Sequence, residues 1–176
     1  ARACYVRGAD VTLVEGGLGG DEAPNRSYTS TERVESAAAM LAAVEESVKG
    51  ADALISAAAI SDYTTDAAEE KIRSGGDLTL SLSPTPKLLD AVREEYPDLA
   101  MVGFKAETSG DDDAMVERAR DLLERAGLTF VVANDAHVMG DSDTRALFVR
   151  PEDVARFTGS KADLGLRVAD ELADDL

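Results

Sequence analysis

The run from Ser56 to Lys71 reads Ser-Ala-Ala-Ala-Ile-Ser-Asp-Tyr-Thr-Thr-Asp-Ala-Ala-Glu-Glu-Lys. Its first half is small and apolar, the end of a strand with so little side-chain bulk that a ligand can lie against the backbone and use its N–H and C=O groups. Asp62 and Tyr63 follow, at the carboxyl end of that strand, where open α/β sheets bind their ligands. Lys71 is the next cation, on a Thr/Ala/Glu-rich segment ending at Ser74, Gly75 and Gly76, placed to swing a point charge over the strand end toward phosphate or carboxylate. A plainer reading is a strand, an N-capping Asp62 and a solvated surface lysine. Both readings fit these residues taken alone.

Outward from this stretch, strand and helix patterns alternate. Upstream, Val34, Ala37, Leu41, Val44 and Val48 fall on one helical face ended by Gly50, and Asp52 to Ile60 reads as a buried strand of a parallel sheet covered on both faces. Downstream, Leu78, Leu80 and Leu82 alternate with polar residues as a strand with one buried face. It leads into Ser83-Pro-Thr-Pro-Lys-Leu-Leu89. Pro86 in the first turn of the next helix leaves neighbouring amides free for an anion, or merely starts a helix carrying Leu89, Val92 and Tyr96. Ala100 to Phe104 is the next strand, with Lys105 and Glu107 beyond its end, either a surface pair or part of the same crevice as Lys71. Met115, Ala119, Leu122 and Ala126 recur at helical spacing, a face expected to pack on the sheet and not on a cofactor, with Gly127 ending that helix.

Thr129 to Ala133 is a further strand, turned by Asn134 and Asp135. Arg145 to Val149 reads as an antiparallel strand, and Pro151 to Thr158 connects it to a helix from Ser160 that packs Leu164, Val168 and Leu172. At the other end, Ala1 to Gly8 reads as the last turns of a helix, so an amino-terminal strand and loop are expected to be missing. Asp10 to Val14 and Ser27 to Ser30 are short strands. The alternation argues for one domain over 1–176, a Rossmann-like, doubly wound, mostly parallel sheet with helices on both faces and one late antiparallel strand.

Composition narrows the function. With 35 acidic and 18 basic residues the chain carries a formal charge of -17, spread along its length, the mark of a solvated, salt-adapted (halophilic) surface. Such a polyanion is repelled by nucleic acids and anionic membranes, so a nucleotide must be held in a local site. The single Cys4 excludes an internal disulfide and fits a reducing cytoplasm. The lone His137 argues against a histidine metal cluster. No apolar run of about 18 residues and no signal-like leader is present. The glycine-rich loop at Gly16 to Gly20 has Glu22 where the third glycine of a Gly-x-Gly-x-x-Gly would stand, so it reads as a turn.

Five motifs in order, Ala-Ala-Ile-Ser-Asp-Tyr (58 to 63), Glu-Lys-Ile (70 to 72), Leu-Thr-Leu-Ser-Leu-Ser-Pro-Thr-Pro-Lys-Leu-Leu (78 to 89), Val-Gly-Phe-Lys-Ala-Glu-Thr (102 to 108) and Val-Ala-Asn-Asp (132 to 135), resemble phosphopantothenoylcysteine synthetase. The likeness runs nearly end to end. It implies a ligase of coenzyme A biosynthesis that joins 4′-phosphopantothenate to L-cysteine through an acyl-nucleotide, using CTP in the bacterial type or ATP, with Mg²⁺. By motif, the backbone of Ser56, Ala57 and Ala58 would meet the nucleotide and Asp62 would hold its base or ribose. Lys71 would neutralise the phosphates as the catalytic cation. Pro86, Lys87, Leu88 and Leu89 would form the helix start beside the nucleotide, with Phe104 as a wall and Lys105 adding charge. Asn134 and Asp135 would shape the floor.

Two departures from the family pattern bear on nucleotide choice: Leu122 and Ala126 stand where the bacterial family has two lysines, and Lys105 replaces an alanine. A third bears on turnover: the family's Asn-x-Ser-Ser-Gly loop, which serves phosphopantothenate and the acyl intermediate, is absent, so this chain alone is expected to bind nucleotide and to be inactive. The resemblance further implies a homodimer and fusion to, or association with, a decarboxylase carrying FMN. The rival readings are an NAD(P)-binding oxidoreductase-like domain and a non-catalytic dimerisation fragment; no tyrosine with a lysine four residues later supports the former.

Overall fold

The computed structural model describes residues 1–17, 27–65, 75, 77–107, 111–135 and 143–176. Its main sheet has the strand order β3-β6-β7-β8-β9. Strands β3 (Ala53–Ser56), β6 (Ala100–Glu107) and β7 (Phe130–Asp135) run parallel, with Ile55 opposite Val102 and Phe104 opposite Val132. The hairpin of β8 (Asp143–Val149) and β9 (Val154–Ser160) extends it antiparallel, Val132 facing Phe148. Beside it, β1 (Thr12–Gly16) and β2 (Ser30–Val34) pair in parallel, and the short β4 (Tyr63–Thr64) and β5 (Ser83–Pro84) pair antiparallel.

Strand alternation sends successive side chains to opposite faces, and both faces are covered. Met101, Val131, Ala133, Leu147 and Val149 join one cluster with α2 (Ala37–Ser47), α3 (Leu88–Glu95) and α4 (Asp112–Ala126). Val102, Phe130, Val132 and Phe148 join the other, closed by Leu164, Val168 and Leu172 of α5 (Lys161–Ala173). Phe130, Val131 and Val132 are fully buried in succession, as a central strand between two helical layers requires. The mostly parallel, doubly wound expectation therefore holds, with two late antiparallel strands in place of one.

Local chemistry sets the helix ends. The Asp111 carboxylate accepts the Ala114 N–H at 3.0 Å at the start of α4, and Ser160 Oγ accepts the Asp163 N–H at 3.1 Å at the start of α5. Gly127 closes α4 at φ 58, a left-handed conformation that favours glycine. A short α1 (Arg2–Val6) is tied to α5 by Arg7, whose guanidinium donates to the two oxygens of Asp170 at 2.5 and 2.9 Å.

Several boundaries differ from the sequence expectation. The Asp52–Ile60 strand contracts to Ala53–Ser56, the residues that find ladder partners in β6; it lies at the sheet edge and is half-buried rather than enclosed. Val34 ends β2 instead of opening a helix, because Ser36 caps α2 through the Ala39 N–H at 3.1 Å. The second early strand thus lies at Ser30–Val34 and not Ser27–Ser30. Leu78, Leu80 and Leu82 are 58%, 55% and 58% exposed, and only Ser83 and Pro84 pair, so that alternation meets no core face.

Asn134 and Asp135 continue β7 opposite Ala106 and Glu107 instead of turning the chain. Lys105 and Glu107 likewise lie within β6. Most of the Pro151–Thr158 connection is β9, reached by a turn closed by the Arg150 N–H on the Asp153 carbonyl at 2.9 Å. Most of the glycine-rich loop, Lys71 and His137 lie outside the described residues.

Candidate functional site

Strands β3 and β6 run in the same direction, so their carboxyl ends deliver residues to one edge. A cavity of about 200 Å³ opens there. Ser56, at the end of β3, lines it with Ala58, Ile60, Ser61 and Asp62 of the chain that follows. Phe104 and Lys105 enter from β6, and Leu122 and Arg125 from α4. The remaining wall is the entry to α3: Thr85, Pro86, Lys87, Leu88 and Leu89.

The α3 entry is built by two contacts to Asp62. Its carbonyl accepts the Thr85 N–H at 2.9 Å, carrying the β4–β5 pairing one residue further, and its carboxylate pairs with Lys87 Nζ. Extended chain therefore persists through Thr85, and Pro86 stands one residue before the N-cap rather than in the first turn. Asp62 caps no helix. The Lys87 ammonium, through its hydrogen bond and its charge, holds the Asp62 carboxyl below the usual carboxylate range, and Lys105 adds a smaller pull in the same direction.

Lys87 is the N-cap of α3 and provides no side-chain cap, so the first-turn amides are left for another acceptor. The positive end of the helix dipole favours an anion in that position. Thr85 adds a second polar feature: it is 7% exposed, and its Oγ1 has no hydrogen-bond partner among the described residues. An unpartnered buried hydroxyl costs about 1–3 kcal/mol. In a chain of charge -17, three cations, Lys87, Lys105 and Arg125, line one cavity. Arg125 is paired with Asp90, in the first turn of α3.

Of the residues singled out in the sequence, Ser56, Ala58, Asp62, Pro86, Lys87, Leu88, Leu89, Phe104 and Lys105 share this cavity. Ala57 lies on the same segment, exposed, and its side chain is not part of the wall. Lys71 is outside the described residues, and Asn134, half-buried in β7, is not on the wall. Sequence reasoning did not assign Ile60, Ser61, Thr85 or Arg125 to the site, and it named Leu122 only as the residue at a family lysine position. A signal for Arg125 existed: it follows Leu122 by three residues and so shares its helical face. Leu122 lines the cavity and also packs against the core cluster that holds Met115, Ala119 and Ala126, in which Leu123 is the more deeply buried leucine.

Among the described residues no group of three or more His, Cys, Asp or Glu is arranged to hold a metal ion. Asp62, the one carboxylate on the cavity wall among the described residues, is already paired with Lys87. These residues do not form a protein cage for Mg²⁺, which is commonly carried by substrate phosphates and water. No helix among them is long and apolar enough to cross a membrane.

Comparison with known proteins gives a consistent picture. The family described as DNA/pantothenate metabolism flavoprotein C-terminal domain matches residues 1–176. The coenzyme A biosynthesis bifunctional protein CoaBC of Thermococcus kodakarensis is 36% identical over 171 residues, covering 94% of this chain and 41% of that protein. The protein of the same name from Methanocaldococcus jannaschii is 33% identical over 147 residues, covering 82% of this chain and 36% of its own length. The chain thus spans well under half of these relatives. The crystal structure of the DNA/pantothenate metabolism flavoprotein from Streptococcus pneumoniae superposes with a TM-score of 0.80 at 22% identity, covering 99% of this chain and 83% of the other, a likeness of fold.

Proposed function

The chain belongs to the DNA/pantothenate metabolism flavoprotein C-terminal domain family, and from that premise we propose that it is the nucleotide-binding part of a phosphopantothenate–cysteine ligase of coenzyme A biosynthesis. The observation that carries this reading is the cavity at the β3 and β6 ends, where an uncapped helix start and three cations meet a segment of small residues. Those features suit a nucleotide triphosphate held in a strongly acidic protein. Curated relatives named for coenzyme A biosynthesis support the pathway.

In the proposed reaction an oxygen of the 4′-phosphopantothenate carboxylate attacks the α-phosphorus of CTP. The bond to the bridging oxygen breaks, pyrophosphate leaves with the electron pair, and an acyl-cytidylate remains. The amine of L-cysteine then attacks the acyl carbon, loses a proton and expels CMP. Bringing two anions together is the barrier, so fixed positive charge is what the protein must supply. Ser56, Ala57 and Ala58 offer backbone groups, Asp62 a hydrogen-bond acceptor for base or ribose, and Phe104 an aromatic wall. Lys87 and Lys105, with the first-turn amides of α3, face the phosphates. Lys71 is assigned to the phosphates by motif alone. Mg²⁺, carried by the triphosphate, would offset part of its charge.

The exposed leucines 78, 80 and 82 support a homodimer, since alternating apolar side chains beside a short strand favour pairing with a second chain. A fused or associated flavin-dependent decarboxylase, and a cytoplasmic location, complete the proposal; the bifunctional names of the relatives favour the former. The test is a thermal-shift comparison of CTP, ATP, GTP and NAD with Mg²⁺. At a hundred times its Kd a specific ligand stabilises by about 2.7 kcal/mol, and CTP is expected to act most strongly. Equal shifts, or none, with all four would refute the reading.

A further inference from the structure

From α4 the cavity receives Leu122 and, three residues on, Arg125. The Arg125 guanidinium is held by one nitrogen only: Nη1 donates to both carboxylate oxygens of Asp90, while Nε and Nη2 make no hydrogen bond with any described residue. Both side chains remain accessible, at 46% and 41% exposure. A planar guanidinium engaged at one corner presents the rest of its fork, the geometry that matches a phosphate's oxygens. Asp90 sits in the first turn of α3, the helix start that faces the same cavity. An anion arriving there meets the Asp90 charge and competes with it for Arg125.

We infer that Arg125 is an anion-binding residue of this cavity, donating its free edge to a phosphate group of the ligand, and that the ion pair with Asp90 is the resting contact which the phosphate replaces. This inference rests on the nucleotide reading of the cavity. It extends that reading to a second helix, so that the ligand phosphates are held between α3 and α4. In the structure Leu122 gives α4 an apolar face toward the cavity, and Arg125 supplies its charge.

Two substitutions that break the same ion pair separate this role from a structural one. Isothermal titration of the purified protein with CTP and with inorganic tripolyphosphate is expected to show Arg125→Gln weakening both by at least about tenfold, the loss of one charge-assisted contact. Asp90→Asn removes the competing charge and is expected to tighten both about threefold. Arg125→Lys keeps the charge without the fork and is expected to fall between wild type and Arg125→Gln. Affinities within about twofold of wild type for both Arg125 variants would overturn the inference. So would Arg125→Gln and Asp90→Asn moving affinity in the same direction, as a purely structural pair requires. If wild type binds tripolyphosphate but not CTP, and Arg125→Gln loses the tripolyphosphate, the inference stands and the nucleotide reading fails.

Discussion

Replacing Arg93 with methionine is the substitution that should damage this fold most for the fewest atoms changed. Arg93 is half-buried on α3, and its guanidinium donates to five main-chain carbonyls. At the exit of α3 these are Tyr96 at 3.1 Å, Pro97, and Leu99 at 2.8 Å. At the exit of α4 they are Ala126 at 3.3 Å and Gly127 at 2.8 Å. One side chain thus satisfies the carbonyl ends of two helices and holds them together, in the place where a cation is also favoured by the helix dipole. Methionine keeps a long apolar stem, so what is lost is hydrogen bonding and charge rather than volume.

A hydrogen bond to a charged group is worth about 1.5–3 kcal/mol. The partly exposed carbonyls recover water when the guanidinium goes, so the net loss is set at one such bond per helix end at the low end of that range, about 3 kcal/mol in all. In urea unfolding the midpoint should fall accordingly with an unchanged m-value. Arg93→Lys, with fewer donors and no fork, should recover only part of the loss. Because α3 and α4 both line the cavity, Arg93→Met should weaken nucleotide binding as well, without touching the ligand. A midpoint shift equivalent to less than about 0.5 kcal/mol would refute the reasoning, since that is the scatter of ordinary surface substitutions.

Three further outcomes are expected. Thr85→Val removes the buried, unpartnered hydroxyl and should leave the ligand-free protein as stable as wild type or up to about 1 kcal/mol more stable in urea; a clear loss would mean that the hydroxyl has a structural partner. Hydrogen bonds from Arg145 and then Arg156 hold the Asp112 carboxyl below its ordinary range, so its contribution is fully present above the unfolded value of about 3.9 and is lost as pH falls through the lower folded value. The stability difference between wild type and Asp112→Asn should therefore be constant from about pH 7 to pH 5 and shrink below about pH 4; a gap that widens there would contradict the ion-pair assignment. With a charge of -17, raising NaCl from about 0.1 to about 1 M should raise the melting temperature, because the Debye length falls from about 10 to about 3 Å; a steady fall would show that the acidic surface is not self-repelling.

What the sequence made legible followed from burial. Phe130 to Val132, and the caps at Ser160 and Gly127, announce themselves because a central strand needs continuous apolar residues and a helix end needs a particular side chain or φ. Patterns that lacked a partner misled. Leu78, Leu80 and Leu82 have the period of a strand, yet periodicity does not say whether a face is met by a core, and here none of the chain's own core meets it. The Asp52–Ile60 run suggests too long a strand for a related reason: small apolar residues suit a strand and equally suit bare main chain beside a cavity, and only pairing with β6 ends the strand at Ser56.

The cavity was legible where its residues lie in contiguous motifs, as at 56–62 and 86–89, and illegible where tertiary packing brings them in. Arg125 and Leu122 reach the wall only because α4 packs beside α3, and the Thr85 hydroxyl stands out only because no described residue bonds it. The pairing of Asp62 with Lys87 spans 25 residues and depends on β4 meeting β5. No local spacing encodes such a contact.

On the proposed reading, the edge formed by β3, β6 and the α3 entry holds a triphosphate, with Lys87 exchanging its carboxylate partner for a phosphate. A crystal structure of the protein with CTP and Mg²⁺ tests it most directly. Phosphate oxygens are expected within hydrogen-bond distance of the first-turn amides of α3 and of Lys87 Nζ, with the Asp62–Lys87 contact opened. Nucleotide bound at another place, with that contact intact, would contradict it.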